Sequence, residues 1–151
     1  MLQKTKHRQE TENWINSIMQ FGDAIFVTIH YSDYLQEERN WKRNEVEMIN
    51  KRFFRRLENG IKIRGGKNRL KRLVVIEGKA HGRKHTHMLI EIPKDKTSEK
   101  FGMDIHHAVF MTKGMRNDYK DEVYEQYGLV NYLTKESSSN INNIDITNTR
   151  Y

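Results

Sequence analysis

Two short apolar stretches separated by six residues constrain this chain most. Residues 72–78 read RLVVIEG and residues 84–93 read KHTHMLIEIP, closed by the only proline of the sequence. β-Branched and aliphatic runs of this length favour strands, and the intervening KAHGRK is long enough to turn the chain back. The pair is therefore expected to form an antiparallel hairpin. Successive side chains on a strand point to opposite faces, so His85 and His87 share one face. Glu77 stands at the rim of the preceding strand, where its carboxylate can join the two imidazoles. That donor set, two nitrogens and an oxygen, is the feature from which a divalent-metal site is expected.

The remaining elements follow from periodicity. Trp14, Ile15, Ile18, Met19 and Phe21 give residues 9–21 an amphipathic helical pattern that ends near Gly22. AIFVTIHY, residues 24–31, reads as a buried strand, with His30 near its end as a structural or DNA-contacting residue rather than a third ligand. Val46, Ile49, Phe53 and Leu57 place one apolar face on a helix over residues 44–58. Residues 94–104 (KDKTSEKFGMD) read as a polar connection, and IHHAVFM, residues 105–111, fits either helix or strand. Adjacent on a strand, His106 and His107 face opposite ways and are expected to be non-ligands. Residues 119–124 read as an edge strand and 126–136 as a helix. The Ser/Asn-rich stretch from Ser137 carries no core pattern and is expected to be a flexible polar tail, leaving residues 1–136 as the folded domain.

Charge points to the partner. The chain of 151 residues carries a formal charge of +7, with a pI near 9.6, which favours a polyanion. Residues 51–72 hold ten Lys or Arg against the single acid Glu58. Arg52, Arg55, Arg56, Lys62, Arg64, Lys67 and Arg69 are the candidate DNA-binding residues of that run. With no cysteine there is neither a disulfide nor a thiolate site. No run of about 18 apolar residues and no signal-peptide pattern occurs, so a cytoplasmic protein with no membrane partner is expected. At this length the chain is expected to be one domain without a motor of its own.

Tyr132 and Lys135 lie three residues apart, about 60° around a helix. A phenol beside an ammonium is a competent phosphate-attacking nucleophile, because the positive charge favours the phenolate and the developing anionic transition state. Tyr127, five residues upstream of Tyr132, is about 140° away and reads as a packing residue.

In their order, FVTIHYS, then HTHMLIEIP after a Glu-bearing strand, then YLTK on a late helix, these stretches resemble the three motifs of the HUH endonuclease superfamily. In particular they resemble those of the small rolling-circle replication initiators of plasmids, phages and single-stranded DNA viruses. The resemblance runs from about residue 24 to 136. It departs from the usual pattern at Thr86, where a bulky apolar residue is common; a side chain there faces away from the metal. The lack of a second tyrosine four residues from Tyr132 marks a single-tyrosine enzyme.

The resemblance implies an α+β, ferredoxin-like or RRM-like sandwich, with a central antiparallel sheet and helices packed on one face. It implies Mn²⁺ or Mg²⁺ held by Glu77, His85 and His87, with Tyr132 as nucleophile and Lys135 as its electrostatic support. The substrate implied is single-stranded DNA at a replication origin, near a hairpin, with a host helicase and polymerase as partners in a prokaryotic cell. Two alternatives stay open: a small HUH-type transposase, and a non-catalytic RRM-like nucleic-acid-binding module.

Overall fold

A computed structural model describes residue 13 and residues 22–32, 42–61, 70–78, 84–117, 119–124 and 144–150. The elements, in order, are β1 (Ala24–His30), α1 (Arg43–Gly60), β2 (Arg72–Glu77), β3 (His85–Glu91), α2 (Ser98–Met111) and β4 (Lys120–Tyr124). The sheet runs β2-β3-β1-β4 and every neighbouring pair is antiparallel. A βαββαβ order with the first and third strands central is the ferredoxin-like arrangement expected from the sequence. The expected strand at 119–124 takes the edge, paired to β1.

One face of the sheet carries the core. Ile25, Val27, Ile29 and Tyr31, with Val74 and Ile76 of β2 and Met88 and Ile90 of β3, pack against both helices. α1 contributes Val46, Ile49, Phe53, Phe54 and Leu57, a stripe at helical spacing. α2 contributes Phe101, Ile105, Ala108 and Val109.

α2 corrects the sequence reading of residues 94–111. The supposed polar connection is helical from Ser98, because the Thr97 hydroxyl accepts the Lys100 backbone N–H at 3.2 Å and caps the first turn. Residues 105–111 continue that helix rather than forming a strand.

A ring of polar groups is buried within this layer. The Tyr31 hydroxyl donates to Asn50 Oδ1, the Asn50 amide donates to Thr86 Oγ1, and the Thr86 hydroxyl donates back to Tyr31. Burial pushes the Tyr31 phenol well above its ordinary pKa, against the hydrogen bonds to Thr86 and Asn50. Thr86 thus faces the helices, away from its neighbours His85 and His87, and its hydroxyl is fully partnered.

Residues 144–150 overturn the mobile-tail expectation for their part of the chain. They bridge to β2 through Val75–Ile144 and Arg72–Arg150, and Ile144, Asp145, Asn148 and Thr149 are all buried. The Thr149 hydroxyl accepts the Val74 N–H, and Asn148 donates to the Glu47 carbonyl, so the segment ties the β2 edge to α1. Burial raises the Asp145 carboxyl above its usual range, although the Asn148 amide and N–H both donate to it.

Arg72 ends the basic run but is not available to a polyanion. It is 3% exposed, donates to Glu58 and to the Asn148 carbonyl, each at 2.7 Å, and lies over the Phe54 ring. Arg72→Met keeps the stem and strands Glu58, which retains 12% side-chain exposure. The expected cost is about 2–3 kcal/mol, somewhat below that of a fully buried broken pair. Urea unfolding checks it; a change under about 0.5 kcal/mol, typical of a surface substitution, contradicts it. Among the described residues no helix is long and apolar enough to cross a membrane.

Candidate metal centre

The second face of the sheet is built from the alternate residues, and one end of it gathers titratable side chains. Register pairs Glu77 with His85 across β2 and β3, and His85 with His30 across β3 and β1. Gly78, at φ 128°, follows Glu77 directly, so the chain leaves β2 through a conformation that glycine allows and the carboxylate is left at the rim. The expected hairpin therefore does bring the three residues together.

Glu77, His85 and His87 each offer one ligand atom, and the three atoms lie within 4.8 Å of one another. Glu77 Oε2 sits 2.6 Å from His85 Nε2 and 3.1 Å from His87 Nε2. Burial works to raise the Glu77 carboxyl, but the hydrogen bonds and charge of His85 and His87 outweigh it and hold it down at about 2. Glu77 Oε1 is buried and accepts no hydrogen bond from the described residues. A buried carboxylate oxygen without a donor is costly unless a cation or water meets it. Two imidazole nitrogens and this carboxylate form a group that can hold a metal ion.

The two histidines differ in surroundings. His85 keeps 32% side-chain exposure and its ring lies 5.7 Å from that of His30, which is exposed. His87 keeps 12%. Its ring stacks on Phe26 at 5.5 Å and 16°, meets the His85 ring edge-on at 5.0 Å, and has Nδ1 3.0 Å from Thr28 Oγ1. Phe26 and Thr28 do not stand out in the sequence. Their only sequence signal is their alternation on β1, which puts them on the histidine face once the register is known.

The other candidate residues lie elsewhere. Arg52, Arg55 and Arg56 are exposed on α1, on the side turned away from the sheet, so the helix layer and the sheet separate them from the three ligands. Lys62, Arg64, Lys67, Arg69, Tyr127, Tyr132 and Lys135 lie outside the described residues. His106 and His107 are exposed on α2 and belong to no such ligand group among the described residues.

A family model described as a replication-associated protein of the ORF2 type matches residues 24–140. The chain belongs to this family. It is a rolling-circle Rep-type family, and membership assigns the chain to DNA replication and to DNA as its partner. The matched span takes in all six elements, the Glu77–His85–His87 group and the YLTK stretch. No curated protein and no solved structure matches the chain.

Proposed function

We propose that this Rep-family protein initiates rolling-circle replication by nicking and rejoining single-stranded DNA through a tyrosine ester. The observation that carries the reading is the convergence of Glu77, His85 and His87 on one open sheet face, in a chain of a replication-associated family. Glu77, His85 and His87 hold one divalent cation, Mn²⁺ or Mg²⁺. Two nitrogens suit Mn²⁺, whereas Mg²⁺ asks for more oxygen donors. Bound there, the cation supplies Lewis-acid polarisation and orientation of the scissile phosphate.

The chain's own residues do the rest. The Tyr132 phenolate oxygen attacks phosphorus, the phosphorus–3′-oxygen bond breaks, and the departing 3′-oxygen takes up a proton. The products are a 5′-phosphotyrosine and a free 3′-hydroxyl that a polymerase can extend. Rejoining reverses these bonds, with the phenol as leaving group. Lys135 offsets negative charge beside the phosphate. Arg52, Arg55 and Arg56, on the far layer, serve sequence-independent phosphate contact away from the reacting group.

Covalent capture tests the reading. The protein is mixed with a labelled single-stranded DNA library and Mn²⁺, then run on a denaturing gel. A shifted, protease-sensitive band that disappears with EDTA is expected. Tight DNA binding without any band favours a non-catalytic binding module and sinks the nickase.

A further inference from the structure

The Thr28 hydroxyl has a role that neither the family nor the ligand set assigns. We infer that Thr28 is a positioning residue for His87, holding Nδ1 so that Nε2 is aimed at the Glu77 carboxylate. The inference rests on the metal reading of Glu77, His85 and His87 and deepens it.

Three observations carry it. Thr28 and His87 are direct partners in the β1–β3 register, so their side chains rise side by side from the same face. Thr28 Oγ1 lies 3.0 Å from His87 Nδ1, while His87 Nε2 lies 3.1 Å from Glu77 Oε2. The two ring nitrogens therefore have separate partners on opposite sides of the ring. Phe26, two residues before Thr28 on the same face, stacks within 16° of the ring plane and limits its rotation.

Chemistry makes a hydroxyl suitable here. For Nε2 to present its lone pair to a cation, the ring proton must reside on Nδ1, and that N–H needs an acceptor. A threonine hydroxyl can accept from Nδ1–H in that state. In the metal-free state, with Nε2–H donating to Glu77, the same hydroxyl can rotate and donate to Nδ1. It thus satisfies His87 in both states without movement of the strand. His85 is the more exposed of the two rings, so His87 is the ligand whose orientation is more firmly built in.

The test compares Thr28→Val with Thr28→Ser by Mn²⁺ titration calorimetry on the full chain, with EDTA-treated thermal melts as a check on folding. Valine keeps the β-branched shape and removes the hydroxyl; serine keeps the hydroxyl. The expected result is a roughly 10–100-fold loss of Mn²⁺ affinity in Thr28→Val, recovery to within about threefold in Thr28→Ser, and metal-free melting temperatures close to wild type in both. A serine variant as impaired as the valine variant, or a valine variant that binds like wild type, overturns the inference alone. A wild-type protein with no saturable Mn²⁺ response overturns the metal reading and this inference with it.

Discussion

Tyr132→Phe is expected to abolish the covalent band while leaving both the fold and the Mn²⁺ response of the protein unchanged. Phenylalanine keeps the ring and its packing and removes only the oxygen that forms the phosphoester. Loss of a nucleophile of this kind costs about 10⁴-fold or more, since water must replace a positioned group and yields no protein-linked product. The comparison with Tyr127→Phe sharpens the result. Tyr127 is about 140° from Tyr132 on a helix, so its phenol is not interchangeable with that of Tyr132 and its loss is expected to leave the band intact. A band that persists in Tyr132→Phe and vanishes in Tyr127→Phe means that the chemistry is right and the nucleophile wrong.

The parts of this protein that could be read from its sequence are those in which side-chain type and period agree. The hairpin of β2 and β3 is one. Alternating aliphatics fix which face each residue takes, and a one-residue slip in register would bury the imidazoles, so Glu77, His85 and His87 could be placed together before any coordinates. α1 is another, since its apolar stripe is broad and its opposite face charged.

The parts that resisted are those in which polar groups do the packing. Residues 144–150 contain only one buried aliphatic, Ile144, and are held otherwise by Asp145, Asn148 and Thr149, each buried with a hydrogen-bond partner. Hydropathy cannot distinguish such a segment from a solvated tail, because the deciding quantity is pairing rather than transfer free energy. Arg72 misleads in the same way. It looks like one more cation in a basic run until Glu58 and Phe54 are found around it. At α2 the Thr97 cap was visible in TSEK, but the lysines and acids of the first turn masked the helical stripe that begins at Phe101. Thr28 needed a different kind of knowledge. Its partner His87 is 59 residues away, and only the β1–β3 register connects them.

His87→Ala is expected to remove the Mn²⁺-dependent rise in melting temperature and to lower Mn²⁺ affinity by more than about 100-fold, beyond the range for loss of a group that only orients a ligand. His87 is the less exposed of the two imidazoles and engages Glu77, Thr28 and Phe26 at once. Without it the donor set falls to one imidazole and one carboxylate, which a surface Glu–His pair offers in many proteins without binding a cation. The metal-free protein should also change with pH. A carboxyl held at about 2, below its ordinary 4.5, stabilises the fold fully above 4.5, and that contribution is lost as pH falls toward 2. His87→Ala deletes one of the two hydrogen bonds that hold Glu77 down, so acid unfolding in EDTA should set in at higher pH than in wild type. Melts at neutral pH with and without Mn²⁺, and an acid series in EDTA, measure the two effects separately. An unaltered Mn²⁺ response in His87→Ala would place the cation elsewhere and leave Glu77, His85 and His87 as an ordinary ion-paired cluster on a DNA-binding sheet.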